Sequence, residues 1–383
     1  IHFLQITNKQ NQIIMKQTFL SIAFLSLAFS GYSQKYEFQS IKDIACTPVL
    51  SQGETGTCWS FSSTSFLEAE IIRISGKKID LSEMYNVRHT YPKKAWNFVM
   101  RQGKAQFGEG GLNHDVINSA KEFGLVPDVA YTGIVGNAEK HDHSKMVAEI
   151  EKVVKWYSNP ERKLEPKWKE EIAVILDKYM GSNVTEFTYE TKNYTPKSFL
   201  EMTKLNLDDY VTITSFTNEP NYSKFILDVP DNFSNGSFYN MPLDEFVANV
   251  DNALEKGYTL ALDADVSEKT FSGRNGIAVI PENVADEKAI LTEIKPEKKI
   301  TPEYRQQEFE NFNTTDDHLM HIVGKVRDQA GSVYYKVKNS WGTKNVGNDG
   351  YIYMSVPYLR LKAISVLVHK DALVKKTKKQ LDL

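Results

Sequence analysis

Downstream of Cys58 the apolar residues Leu67, Ile71 and Ile74 recur at helical spacing, and upstream lies a glycine-bearing run of small residues, QGETGT (52–57). This pattern predicts a loop that ends where a helix opens, with Cys58 at the helix N-terminus. Two later segments, MVAEIEKVVKWY (146–157) and WKEEIAVILDKYM (168–180), each carry one apolar face and read as amphipathic helices. In the segment from Asp316 to Gly342 the period changes to two. Val333, Tyr335 and Val337 alternate with Tyr334, Lys336 and Lys338 after a turn at DQAGS (328–332), which predicts a β-hairpin. Asn339 falls in phase with the first of these faces, so His318 and Asn339 belong to adjacent parts of one β-unit. His321, three residues beyond His318, points to the other side of the strand and reads as a core or surface histidine. No internal repeat or low-complexity segment is evident.

The first 33 residues are not expected to belong to the folded protein. From Met15 the chain has a positive Lys16, an apolar run from Phe19 to Phe29, and small residues Gly31 and Ser33 where a signal peptidase reads. This is the pattern of a secretory leader, with residues 1–14 lying upstream of the true start and the mature chain expected from Gln34. No later stretch reaches the roughly 18 to 20 apolar residues of a membrane helix. The expected protein is exported, periplasmic or extracellular, without a membrane span.

Composition adds two exclusions. Hydrophobic residues make up 41% and charged residues 25%, a globular balance that argues against disorder. After loss of Lys9 and Lys16 the mature chain has 44 basic against 49 acidic side chains, a net charge of -5. With no dominant basic block, a nucleic-acid partner is not expected. KKTKK (375–379) reads as a solvated tail. Asn183 and Asn313 head Asn-x-Ser/Thr triplets, which carry meaning only in a source that glycosylates them.

An exported chain with two cysteines, Cys46 and Cys58, has room for at most one small disulfide loop, which makes a structural use of Cys58 unattractive. At a helix N-terminus, unpaired N–H groups and the helix dipole favour the thiolate, the form that attacks carbonyls. Gly53 and Gly56 let a substrate backbone approach. The Gln52 amide and the Cys58 backbone N–H are placed to hold an oxyanion. A thiolate nucleophile needs an imidazole, and the imidazole an orienting group; His318 with Asn339 supplies both, and Trp341 is positioned to shield their hydrogen bond from water. HDHS (141–144) superficially suggests a metal site but reads as a polar loop, since two histidines lack a third ligand.

At these residues the chain resembles a known family. QGETGTCWSF, DHLMHIVG and KNSWG…NDGYIYM resemble, in order and internal spacing, the three signature blocks of papain-like cysteine peptidases. The resemblance implies Cys58 as nucleophile, His318 as general acid and base, Asn339 as its orienter and Gln52 as oxyanion donor. FGEGGLNHDVINSAKEFGLVPDVAY (107–131) is similar to the family's glycine pair followed by a helix, with Gly110 and Gly111 expected to bind the substrate backbone. By the same alignment Leu112, Ala261 and Leu319 form a small apolar side-chain pocket. Thr55 and Gly108 stand where the family carries two disulfide-bonded cysteines; both ends are replaced together, which reads as exchange of a structural device.

His318 lies 260 residues after Cys58, against roughly 130 to 150 in the papain type, so more than a hundred residues are inserted. The segments EFGLVP, NYTPKSFLEMTKLNLDDYVTITSF and SFYNMPLDEFVANVDNALEKGYTLALDADVSEKTF resemble the bleomycin hydrolase and aminopeptidase C branch. The implied fold is α+β: a helical subdomain (34–135) carrying the nucleophile, a helical insertion (136–215), and a β-barrel-like subdomain (216–383) carrying His318, Asn339 and the C-terminal tail, with the site in the cleft. That branch removes single N-terminal residues because its own C-terminal arm fills the non-primed cleft, which makes the Leu383 carboxylate a candidate partner for a substrate's α-ammonium. Relatives form hexamers. The expected activity is acyl transfer on peptide substrates without metal or organic cofactor, foremost as an aminopeptidase. Alternatives are an open-cleft endopeptidase or dipeptidyl peptidase, a hydrolase or transamidase acting on non-peptide amides, and a catalytically silent binding protein.

Overall fold

The computed structural model describes residues 35–383; the expected leader lies outside the described residues. Ten helices occur among these: α1 (Cys58–Ser75), α2 (Glu83–Met100), α3 (Asn113–Phe123), α4 (Ser144–Tyr157), α5 (Trp168–Met180), α6 (Pro196–Thr203), α7 (Leu243–Glu255), α8 (Pro302–Glu310), α9 (Val356–Lys362) and α10 (Lys375–Gln380). The helix expected from Cys58 is thus present, as are both amphipathic helices. Ile74 departs from expectation. Leu67 and Ile71 are fully buried, but Ile74 is 37% exposed because the last turn of α1 runs past its packing partners into a left-handed cap at Gly76.

The strands are β1 (Phe38–Asp43), β2 (Phe187–Tyr189), β3 (Lys192–Tyr194), β4 (Tyr210–Thr214), β5 (Lys224–Ile226), β6 (Ser237–Asn240), β7 (Leu260–Ala264), β8 (Phe271–Ser272), β9 (Ile277–Ala278), β10 (His318–Asp328), β11 (Val333–Lys338), β12 (Tyr351–Ser355) and β13 (Ala363–His369). Eleven of them form one sheet in the order β5-β6-β4-β13-β7-β10-β11-β12-β9-β8, with β1 added to β10 and β2-β3 a separate hairpin. Pairing is antiparallel except for β4 with β6 and β9 with β12. The β10-β11 hairpin is the expected one. The expected barrel is not closed: β5 and β8 end the sheet without meeting, so this is an open, mostly antiparallel sheet within an α+β fold.

The period of two puts different neighbours on the two faces of the sheet. Ala261 of β7 and Leu319 of β10 share a buried cluster with Cys58, Trp59 and Phe66 of α1 and with Met146, Ile150, Ile172 and Leu176 of α4 and α5. The inserted helices α4 and α5 therefore extend the helical side. On the other face Leu260, Leu262, Met320 and Ile322 pack under Phe246, Val250 and Leu254 of α7. Each such side chain withdrawn from water contributes about 1.5 to 3 kcal/mol. Helix α1 lies almost wholly inside, and most of its polar residues are paired: Ser60 Oγ donates to Glu83 O at 2.8 Å, Ser63 Oγ to Asn113 Oδ1 at 2.8 Å, and Lys338 Nζ to Ser65 Oγ at 2.7 Å. A central buried helix of this kind fixes Cys58 at its first turn. Gly324 admits the backbone of β1, because a Cβ there would run into the Lys42 carbonyl.

Candidate active site

Cys58 opens α1 behind Thr57, whose side chain makes no capping bond and whose carbonyl accepts the Ser60 N–H at 2.9 Å. The thiol is buried, and the backbone N–H of Leu319 donates to its Sγ. Strand β10 thereby brings His318 against the start of α1. His318 Nε2 donates to Asn339 Oδ1 at 2.7 Å. The same oxygen accepts the Ser340 backbone N–H at 2.8 Å, which fixes the amide with its oxygen toward the ring. Nε2 keeps its hydrogen, and Nδ1 is left to exchange a proton with the substrate side. Trp341 lies over the pair, its ring 4.8 Å from that of His318 and itself braced edge-on by Phe271 at 5.8 Å. His321 takes the opposite face, where its Nδ1 meets Ser65 Oγ at 2.9 Å.

Gln52 is held at both ends of its amide. Its Nε2 donates to the Thr55 carbonyl at 2.7 Å, and its Oε1 accepts from Ser340 Oγ at 2.5 Å. The second Nε2 hydrogen stays available for an oxyanion. Cys58, His318, Asn339, Gln52 and Trp341 thus come together, drawn from a helix start, a strand start and the loop after β11.

Burial opposes charge at both reacting groups. It pushes the Cys58 thiol up to about 12, helped by Asp316, Asp231 and Asp263, while the Leu319 N–H pulls the other way. It lowers His318 to about 4 against the opposing hydrogen bond to Asn339. The sequence reading expected a thiolate held by the helix end; desolvation instead favours the neutral thiol and imidazole at rest. Between about pH 4 and 12 the thiol keeps its proton and the imidazole stays neutral. Alkylation of Cys58 by iodoacetamide should therefore lose half its rate near pH 4 as His318 takes up a second proton, with the fold followed by circular dichroism. A midpoint near 6.5 would instead report a water-exposed imidazole.

The expected substrate-binding wall is built differently from its reading. Thr55 Oγ1 donates to Glu109 Oε2 at 2.9 Å and meets His143 Nδ1 at 3.0 Å. Glu109 Oε2 also accepts the Gly56 N–H at 2.5 Å, and Glu109 O accepts from Trp59 Nε1 at 2.9 Å. A carboxylate staple therefore spans the two places where the family's cysteines stand. Cys46 and Cys58 are both free. Replacing Glu109 by alanine should cost about 2 to 4 kcal/mol in urea unfolding, because two donors lose a charged acceptor; a loss under about 0.5 kcal/mol would refute the staple.

Gly111 packs on the Trp59 ring, as a glycine must, since a Cβ there would lie 3.1 Å from it. Gly110 is not the open edge that was expected. Its carbonyl accepts from Lys94 Nζ, and the carboxylate of Asp231 sits where a Cβ would be. Leu112, Ala261 and Leu319 are brought together in the buried cluster with Cys58, and Asn113 Nδ2 donates to Ala261 O at 3.3 Å.

Leu383 is a correction. The tail folds into α10 and docks on α7 behind the sheet: Asn249 Nδ2 donates to Thr377 Oγ1 at 3.1 Å, the Val374 N–H donates to Asn249 Oδ1 at 2.8 Å, and Leu381 and Leu383 join the cluster under α7. Two apolar side chains at the chain end outweigh the four lysines before them, and Leu383 is not brought to Cys58. The HDHS loop is structural. Glu54 N–H donates to His141 O at 2.8 Å, and His143 is buried against Thr55. Among the described residues, no three His, Cys, Asp or Glu are grouped to hold a metal ion, and no helix is long and apolar enough to cross a membrane.

Sequence reasoning missed three acids. Asp263 on β7 lies opposite Leu319, Asp316 precedes His318 by two residues, and Asp231 covers Gly110. The run DDH (316–318) was a local signal. Asp231 had none.

A buried thiol at a helix start, met by the N–H of the residue after a histidine that an asparagine orients, fits the arrangement of a papain-like cysteine peptidase. Residues 104–383 match the family model described as Peptidase C1-like family, and the chain belongs to that family. It is 21% identical to Aminopeptidase G of Lactobacillus delbrueckii subsp. lactis over 85% of this chain and 82% of that protein. It is 35% identical to Probable cysteine protease RD19B of Arabidopsis thaliana, over 28% of this chain and only 29% of that one. The crystal structure of pepw from Lactobacillus rhamnosis HN001 aligns with a TM-score of 0.69 at 18% identity, covering 90% of this chain and 84% of that one, and shares its fold.

Proposed function

We propose that this papain-like cysteine peptidase is an exported aminopeptidase that releases N-terminal residues through Cys58, His318, Asn339 and Gln52. One observation carries the exopeptidase reading: Asp231 is seated on Gly110, so the wall along which a longer peptide would run is already occupied. The names of the relatives similar over most of the chain, Aminopeptidase G and Aminopeptidase C, agree with it. Export rests on the leader pattern of residues 15–33.

In the proposed reaction Cys58 passes its proton to His318 Nδ1 as Sγ attacks the peptide carbonyl. The oxyanion is met by the Gln52 amide and the Cys58 N–H. His318 protonates the leaving amine, then removes a proton from the water that hydrolyses the thioester. Asn339 accepts from Nε2–H throughout, so the ring keeps its orientation when it becomes charged. No cofactor is required by these steps.

The test is turnover of matched peptides with free or acetylated N-termini. Cleavage confined to free N-termini is expected. Equal cleavage of both would make the protein an open-cleft endopeptidase, and release of dipeptides would make it a dipeptidyl peptidase.

A further inference from the structure

We propose that Asp231, Asp316 and Asp263 form the acceptor for the α-ammonium of the substrate's first residue, taking the part that the chain's own terminal carboxylate was expected to play. The proposal rests on the aminopeptidase reading. Leu383 itself docks behind the sheet, away from Cys58.

Two walls supply the acids. Asp231 lies on the helical wall over Gly110, anchored by Gln106 Nε2 at 3.0 Å. Its loop is pinned on both sides: Asn232 Nδ2 donates to Leu227 O and Gly236 O, each at 2.9 Å, and Ser234 Oγ donates to Asp115 Oδ1 at 2.7 Å. Asp316 lies on the sheet wall, two residues before His318. Asp263 lies beneath, on the face of β7 that carries Ala261, opposite Leu319. It is 0% exposed; its carboxyl hydrogen-bonds with that of Asp316, which needs a proton between them, and among the described residues no other group donates to it or to one oxygen of Asp316.

Buried carboxylate oxygens without donors are costly unless a cation or a proton completes them. Burial and mutual repulsion push Asp263 well up and Asp316 to about 7, a rise that the charge of Lys94 offsets only in part at Asp316. The fixed cation nearby, Lys94, is committed to the Gly110 carbonyl. An α-ammonium brings one positive charge and three donors, which suits Asp231 and Asp316 at the half-buried rim with Asp263 supporting them electrostatically. Asp263 lies opposite Leu319, whose backbone N–H meets the Cys58 sulfur, and the charge of all three acids bears on that thiol.

The experiment compares leucyl and acetyl-leucyl coumarinamides, and peptides with leucine or lysine as second residue, on wild type and on Asp231→Asn, Asp316→Asn and Asp263→Asn. Stoichiometric alkylation of Cys58 serves as the check of folding, and the two rim variants cover the case in which the Asp263 variant does not fold. The rim variants should lose at least about 30-fold in kcat/KM on free-amine substrates, with cleavage of acetylated ones unchanged or increased. An unchanged ratio of free to acetylated turnover would overturn the acid pocket while leaving the aminopeptidase intact. Loss confined to lysine-bearing substrates would overturn it in favour of side-chain recognition. Wild type that cleaves both N-termini equally would remove the aminopeptidase reading, and this pocket with it.

Discussion

Peptide turnover should fall by about 10^5-fold or more when Cys58 is replaced by alanine, with the fold intact. In the proposed mechanism Cys58 forms the covalent intermediate, and Cys46 does not stand in for it, being held near Tyr351, 3.8 Å from its hydroxyl. The fold should survive because alanine is a good residue for the first turn of α1, and the only bond given up is the weak one from the Leu319 N–H to sulfur. Steady-state assays at high enzyme concentration, with thermal unfolding followed in parallel, measure both halves. Activity above about one part in a thousand in a purified, correctly folded variant would mean that the chemistry belongs elsewhere.

His318→Ala is expected to be nearly as severe, about 10^3- to 10^4-fold in kcat. In the proposed mechanism the imidazole removes the thiol proton and later protonates the leaving amine, and Asn339 has no function toward the substrate without it. Because Cys58 and His318 act as one unit, the Cys58→Ala, His318→Ala double variant should be no worse than Cys58→Ala alone. Additive losses would mean that the two residues act in separate steps. Asn339 Oδ1 retains the Ser340 N–H after the substitution, so the loop before Trp341 should hold its place.

Much of this site was legible because local periodicity and motif spacing coincide there. The alternation across Val333 to Lys338 carried Asn339 onto the correct face, and the helix after Cys58 followed from Leu67 and Ile71. Interactions between residues distant in sequence were not legible. Asp231 reaches Gly110 through a loop whose course is set by Asn232, Ser234 and burial of Leu227 and Phe238, none of which announces itself as a pattern. Asp263 looked like an ordinary position in LALDADV, since nothing in a single strand tells which neighbours an acid will meet. The tail misled for a related reason: the resemblance put Leu383 in the cleft and the lysines read as a solvated tail, while Leu381 and Leu383 decide where it docks. Desolvation is equally invisible in sequence, which is why the helix end alone suggested a thiolate.

The Glu109 staple has a consequence for handling and habitat. A thiol peptidase must be kept reduced to work, yet a disulfide in the wall beside the nucleophile would be exposed to the same reductant. Hydrogen bonds from Thr55 and Gly56 to a carboxylate are indifferent to electron transfer. The cleft can therefore keep its shape at any reductant concentration that keeps Cys58 free, so activity should track the oxidation state of one sulfur atom and nothing else in the wall.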